Sequence, residues 1–232
     1  MKSPFFRGVT HGIPIALGYL SVSFGFGILA VRLGLPVWAA VGISLTNLTS
    51  AGQAAGVEII AAAGTLLEMV LTQLVINLRY ALMGFSLSQK LDDTFTTSRR
   101  LVVSFGITDE VYAVAVSQPG QLTASYMLGL ISTPIVGWSV GTLLGAVAGQ
   151  LLPSAVSDAM GLVLYGMFLA IILPPARKDR RVLLVVVLAA VFSSVFRYVL
   201  PMVSGGFAVI ISAVAASLAG ALLFPVEEEE TA

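Results

Sequence analysis

The chain has 232 residues, 57% of them hydrophobic and 10% charged, and its mean hydropathy is +0.98. Soluble domains carry about 25% charged residues, so this composition predicts an all-α polytopic membrane protein in which residues 1–232 form one transmembrane domain. The net charge of zero gives no indication of nucleic-acid binding, and the absence of cysteine excludes disulfides, thiolate metal sites and cysteine nucleophiles.

Six segments are apolar enough, and long enough, to cross a bilayer, which takes about 20 residues. These candidate spans are 13–32, 66–88, 122–147, 156–174, 182–200 and 205–224. The first follows Lys2 and Arg7, as a signal peptide would, but its apolar run is too long for one. The last is followed by an acidic tail, 227–232, which we expect to be solvated.

Two further segments are apolar but interrupted. Segment 36–64 carries the polar, glycine-rich stretch Thr46–Glu58 at its centre, and 101–118 carries a pair of carboxylates. Polar backbone-exposing residues at membrane depth are tolerated where protein buries them or where they line a wet cavity, and broken helices form the substrate sites of many transporters. The alternative for 46–58 is a small-residue surface for helix packing. We predict six full spans and two broken or re-entrant segments.

The basic residues indicate an orientation, because lysine and arginine concentrate in cytoplasmic loops. Nine of the twelve lie in the N-terminus and in two loops: Lys2, Arg7, Lys90, Arg99, Arg100, Arg177, Lys178, Arg180 and Arg181. All nine face the cytoplasm, with both termini, if each interrupted segment enters and leaves on one side. The alternative is eight full crossings, which would not place all nine on the same side of the membrane.

Residue spacing adds expectations for two of the spans. Helix 66–88 carries two polar stripes, which favour its enclosure by protein. Span 122–147 has a glycine at every fourth position over much of its length, which predicts close packing against another helix. The single histidine, His11, lies at the mouth of the first span and is interpreted as interfacial, so no metal site or cofactor is predicted.

Charged residues inside the apolar segments are the candidates for function. Glu58, Arg79, Asp109 and Glu110 are hard to place at an interface, and an ionised residue at the bilayer centre costs about 2.5–3.5 kcal/mol on insertion scales. The alternative is a structural ion pair, for instance between Arg79 and Asp109. Three other charges lie near span ends and are expected to reach the interface: Glu68, Asp158 and Arg197.

Three sequence blocks carry a resemblance to a known family. They are Ser50-Ala51-Gly52-Gln53, Asn77-Leu78-Arg79-Tyr80-Ala81-Leu82-Met83-Gly84 and Thr108-Asp109-Glu110. In order and spacing the chain resembles the AzlC-type branched-chain amino acid permeases over nearly its whole length. Family members often place the glutamine a few positions further from the glycine, so this chain departs from the pattern at Gln53.

The resemblance implies a multi-pass protein of the bacterial inner membrane that exports valine, leucine and isoleucine together with a small AzlD-type membrane subunit. Together with the cost of charges in apolar segments, it suggests Gln53, Glu58, Asn77, Arg79, Asp109 and Glu110 as transport residues. Arg79 or helix-terminal amides would hold the substrate carboxylate, and Asp109 or Glu110 would hold the ammonium or the coupling proton. The chain lacks a Gly-x-x-x-x-Gly-Lys motif, which favours secondary transport over ATP hydrolysis by this chain.

The sequence leaves two other classes of function open. An intramembrane hydrolase could use Asp109 or Glu110, but neither Gly-x-Ser-x-Gly nor His-Glu-x-x-His occurs, and we predict that the chain is not an enzyme. A channel or an assembly subunit of a membrane complex is the other alternative. Conductance without saturable competition by substrate would favour the channel.

Overall fold

The computed structural model describes residues 3–153, 166, 168–170 and 172–225. Within these ranges the chain folds into helices, and no strand forms beyond an isolated bridge between Leu91 and Leu122. The helices are α1 (Pro4–Arg32), α2 (Val37–Thr46), α3 (Ala51–Ala61), α4 (Leu66–Ser88), α5 (Thr97–Phe105), α6 (Asp109–Ser117), α7 (Ala124–Leu151), α8 (Arg180–Tyr198) and α9 (Gly205–Leu223). Residues 172–178 are helical as well. The predicted all-α class is confirmed.

Five of the described helices are long and apolar enough to cross a membrane, namely α1, α4, α7, α8 and α9. They correspond to five of the six predicted spans, although α1 begins at Pro4 rather than at residue 13. The predicted span 156–174 lies largely outside the described residues. Asp158 and the predicted tail 227–232 also lie outside them.

Helices α1 and α7 form a parallel pair that is the scaffold of the fold. Glycines of α7 lie against the backbone of α1, with Gly129 opposite Phe5 and Gly137 opposite Ala16. A Cβ atom at Gly137 would lie 2.5 Å from the Ala16 carbonyl oxygen, which is closer than real Cβ atoms approach. The predicted glycine-mediated packing is confirmed, and small residues are what allow it.

The interrupted segment 36–64 forms a helical hairpin, the first hairpin, from α2 and α3. Gln53 Nε2 donates to Ser44 Oγ at 3.1 Å across the two halves. Ala40 of α2 and Val57 of α3 belong to one buried cluster, together with residues near the C-terminal end of α1. The 44/53 bond and the shared cluster of residues 40 and 57 match an antiparallel arrangement. The chain therefore enters and leaves at the same end, with its tip at residues 47–50.

The second interrupted segment forms a second hairpin, from α5 and α6, that enters from the opposite end. Thr94 Oγ1, just before α5, accepts from the first amide of α7 at 2.9 Å. At the C-terminal end of α6, where the chain leaves the hairpin, Lys90 Nζ donates to the carbonyl oxygens of Val116 and Gln118, each at 2.5 Å. The tip at residues 106–108 therefore points inward. Both predicted breaks are confirmed.

The basic loops gather at one end of the molecule, which we call the basic end. The Arg7 guanidinium lies 5.2 Å from the ring centroid of Tyr126 at the start of α7, and the loop after α4 bonds there through Leu122 N and Lys90 O. Helix α9 begins beside the N-terminus of α4, at the opposite end, where Ser204 contacts Glu68. Helix α8 runs antiparallel to α9, so its basic N-terminus also reaches the basic end.

Two expectations about α4 are wrong. The helix is not enclosed within the described chain, because Leu74, Leu78 and Leu82 are exposed on one side; leucines four residues apart give it an apolar sector beside its polar stripes. Glu68 does not reach outward. It is buried, and its Oε1 accepts from Ser204 Oγ at 2.6 Å and from Gly206 N at 2.9 Å.

Candidate functional site

The tips of the two hairpins meet beside one cavity in the middle of the molecule. The cavity has a volume of about 280 Å³. Its wall is formed by the two tips together with the middles of three long helices, and it is completed by side chains that follow α7. The lining residues are Tyr19, Leu48, Ser50, Ala51, Ile76, Arg79, Tyr80, Thr108, Asp109, Glu110, Trp138, Phe168 and Ile172.

An ion pair crosses this central cavity from a long helix to a hairpin tip. Arg79 Nη1 on α4 lies 2.6 Å from Asp109 Oδ2, at the first residue of α6. The two side chains keep 41% and 39% of their surfaces exposed. The guanidinium also donates to Tyr80 Oη at 3.2 Å and lies 4.9 Å from the centroid of that ring. The pair is thus formed but remains open on the cavity side.

The second carboxylate of the tip is held by the first helix. The Tyr19 hydroxyl donates to the Glu110 carboxylate and lies 2.6 Å from Thr108 Oγ1. Its ring meets Trp138 of α7 edge-on, with 5.2 Å between ring centroids. Trp138 is buried, and its indole Nε1 has no hydrogen-bond partner among the described residues. A buried donor without a partner is costly, and this one lies in the cavity wall.

Two half-helices begin at the cavity, so their N-terminal ends face it. Thr108 caps α6 by accepting from Val111 N. Ser50 precedes α3 with no side-chain cap bond and with φ of 42°, a strained conformation for serine. A helix N-terminus carries partial positive charge and free amides, and half-helices that start near the midplane receive anionic substrate groups in this way.

Three of the six predicted site residues therefore lie together in the central cavity: Arg79, Asp109 and Glu110. Two others stand behind its wall. Gln53 is 1% exposed and bonds Ser44 of the first hairpin. Asn77 Nδ2 donates to Gln73 Oε1 at 3.0 Å, and Gln73 Nε2 donates to the Gly52 carbonyl at 2.7 Å. The amides of Asn77 and Gln73 thus connect α4 to the hairpin.

The sixth predicted residue, Glu58, lies elsewhere. It is an exposed residue of α3 that lines a second cavity of about 530 Å³, toward the end of the molecule opposite the basic end. Sequence analysis did not separate it from the central group, because spacing along the chain gives no indication of which cavity a helix face meets. Tyr19 and Trp138 were missed altogether, although a phenol in the middle of a predicted span is a signal of its own.

Comparison with known proteins identifies the family of this chain. The sequence model described as AzlC protein matches residues 14–152, which include both hairpins and all six predicted site residues. The chain belongs to the AzlC family. AzlC membership confirms the resemblance seen in the sequence, and it supports a role of the transporter type for this membrane protein.

Relatives of the AzlC chain are named as membrane proteins. Inner membrane protein YgaZ of Escherichia coli is 27% identical over 207 residues, which cover 86% of this chain and 84% of that protein. An uncharacterized membrane protein of Archaeoglobus fulgidus is 32% identical over 176 residues, 75% of this chain and 77% of the relative. One from Helicobacter pylori is 27% identical over 144 residues, 60% and 62% of the two chains. No solved structure matches significantly.

Proposed function

We propose that this chain is a secondary transporter that exports branched-chain amino acids, namely valine, leucine and isoleucine, across the bacterial inner membrane. The observation that carries the proposal is the central cavity, where Arg79 faces Asp109 and Glu110 among apolar walls. A zwitterion with an aliphatic side chain has the matching groups: a carboxylate, an ammonium and an apolar body.

In the proposed mechanism the substrate exchanges partners with the ion pair. The substrate carboxylate binds the Arg79 guanidinium and the backbone amides at the N-terminus of a half-helix, since both favour an anion. Its ammonium takes Asp109 or Glu110. The ion pair keeps these groups satisfied in the empty cavity, so neither charge is left alone when substrate leaves. Leu48, Ile76 and Phe168 receive the branched side chain, with weak discrimination because one methylene is worth only about 1–3 kcal/mol.

We further propose that transport requires a small AzlD-type membrane subunit, as the family resemblance implies. The exposed apolar side of α4 offers one place where such a subunit could be seated. The orientation that fits best places the basic end, and both termini, in the cytoplasm, because arginine and lysine concentrate there.

The test is efflux from cells that express this chain with its small subunit. Cells preloaded with labelled valine, leucine or isoleucine should lose the label faster than cells that carry the empty vector. The matched control is the same pair with Asp109→Asn, which keeps the size of the side chain and removes its charge; we expect efflux to fall at least tenfold. Equal efflux with and without the pair, for all three amino acids, would overturn the proposal.

A further inference from the structure

A second cavity of about 530 Å³ lies between α3, α4, α8 and α9, toward the end opposite the basic end. It shares two wall helices with the central cavity. On α3, Ala51 lines the central cavity and Ala55 lines the second cavity. On α4, Ile76 lines the central cavity and Thr72 lines the second cavity. Each pair is about 6 Å apart along its helix axis at 1.5 Å per residue.

The second cavity repeats the chemistry of the central one. Arg197, near the C-terminal end of α8, brings a guanidinium, while Glu58 and Glu68 bring two carboxylates, and the remaining wall is largely apolar. Arg197 forms no hydrogen bond or ion pair with the residues that the structure describes. The second oxygen of Glu68, Oε2, accepts no hydrogen bond from them either, whereas Oε1 is occupied by Ser204 and Gly206.

A buried hydroxyl in the same wall also lacks a partner. Thr72 is 1% exposed, and its Oγ1 makes no hydrogen bond with any described residue. It stands one turn beyond Glu68 on α4 and faces the start of α9, since a Cβ at Gly206 would lie 2.9 Å from it. A buried hydroxyl without a partner is costly, and a ligand in this cavity would supply the missing partner.

A polar contact separates the two cavities. Gln73 Nε2 of α4 donates to the Gly52 carbonyl of α3 at 2.7 Å, and Gly56 packs against the same glutamine. Along both helices this contact lies between the residues that line the central cavity and those that line the second cavity. A solute that leaves the central cavity along α3 and α4 would pass this contact and meet Arg197 and Glu68 next.

From this we infer that the second cavity is a second binding site for the same zwitterionic amino acids, occupied on the way out of the molecule. The inference rests on the proposed export function. Arg197 would bind the carboxylate, the free oxygen of Glu68 together with the Thr72 hydroxyl would bind the ammonium, and the apolar wall would receive the side chain.

The test is equilibrium binding of labelled leucine to the full chain, with its small subunit, in lipid nanodiscs. We expect two equivalents of leucine for the unchanged protein and one for Arg197→Met, with two retained in Arg197→Lys. Thr72→Val, which keeps the shape of the side chain, should weaken the same equivalent several-fold. Arg197→Met combined with Asp109→Asn should bind none, and melting temperatures check that each variant is folded.

Two outcomes would overturn the inference. One is a single equivalent in the unchanged protein that Arg197→Met leaves intact. The other is a second equivalent that N-acetyl-leucine or leucinamide displaces as well as leucine does, because a site for zwitterions needs both charged ends. Neither outcome affects the efflux result, so the export function can stand while the second site falls. If efflux fails, the export function falls independently of the number of equivalents bound.

Discussion

At the scale of the residue, the decisive feature is that the Arg79–Asp109 ion pair is formed but remains partly exposed. The distance of 2.6 Å is that of a strong charge-assisted bond, yet roughly two fifths of each side chain remains exposed beside the cavity. A purely structural pair gains most when other groups surround and satisfy it. This geometry is the one that the proposed exchange of the pair for substrate requires.

A double substitution separates the structural role from the transport role. Arg79→Met or Asp109→Asn alone should lower stability by about 1–3 kcal/mol, between the values for exposed and for buried pairs, because one charge is left without its partner. The double variant should regain the melting temperature but not the transport. The measurements are thermal unfolding in detergent and counterflow of labelled leucine in vesicles. Full counterflow in the double variant would show that the pair is structural only.

Tyr19 is expected to position the tip of the second hairpin. Tyr19→Phe keeps the ring against Trp138 but removes the hydroxyl that contacts Thr108 and Glu110. The buried Thr108 and the half-buried Glu110 lose their contact with the hydroxyl, so we expect a loss of about 1–3 kcal/mol in stability and a fall in counterflow. Tyr198→Phe is the matched control, since Tyr198 is exposed. If both variants behave alike, Tyr19 does not hold the tip.

The charged residues of the site could be found from the sequence, and Arg79 was expected to share one substrate with Asp109 or Glu110, as their common cavity allows; the place of Glu58 could not be found. Arg79 and Asp109 stand out because a charge in an apolar segment is costly. Glu58 stands out by the same criterion, yet it faces the second cavity, and Glu68 is buried although its place near a helix end suggested exposure. Which face of a helix meets which neighbour depends on tertiary packing, and the sequence of one helix does not contain that information.

At the scale of the element, the two interruptions were predictable because glycine and polar residues cannot lie in lipid as unpaired backbone. The re-entrant course of the first hairpin followed from the distribution of basic residues, and the Gln53–Ser44 bond agrees with it. The enclosure of α4 was predicted wrongly. Its polar stripes led to the prediction that protein encloses it, whereas its leucines form an apolar side that is exposed.

The parallel α1–α7 pair gives a test of packing with a control in the same pair. Gly137→Ala brings a Cβ atom against the backbone of Ala16, whereas the same change at Gly18 meets nothing within 4 Å. Alanine favours helix by about 1 kcal/mol over glycine, so Gly18→Ala should leave the melting temperature unchanged or raise it. Gly137→Ala should lower it by several degrees. Equal effects would mean that α7 does not approach α1 as closely as described.

At the scale of the whole molecule, the two hairpins enter from opposite ends and converge on one cavity, while the basic loops share a single end. Within the described residues this arrangement agrees with five of the six predicted crossings and with two re-entrant segments. It disfavours eight crossings, since eight would carry each interrupted segment from one end to the other. Family membership adds that the region concerned, residues 14–152, is shared with other AzlC proteins. Which side of the membrane the basic end faces in a cell stays a prediction.

Cysteine labelling tests that orientation, because the chain has no native cysteine to remove. Single cysteines at Ala39 and Ala62, near the two ends of the first hairpin, should react with an impermeant reagent from outside the cell. Cysteines at Ser98 and Ser117, near the ends of the second hairpin, should react only in inverted vesicles. Opposite sidedness of Ala39 and Ala62 would defeat the re-entrant course.

The partnership of α1 with α7 also bears on how the protein is made. The two helices lie about 120 residues apart in the chain, so at about 5–20 residues per second the ribosome needs several seconds to tens of seconds to deliver the second after the first. During that interval the half-helices α2, α3, α5 and α6, of 9 to 11 residues each, are too short to span the bilayer by themselves. When ribosomes are stalled before residue 124, the first hairpin of the nascent chain should therefore not yet be fully packed. Membrane proteases should be able to cleave it.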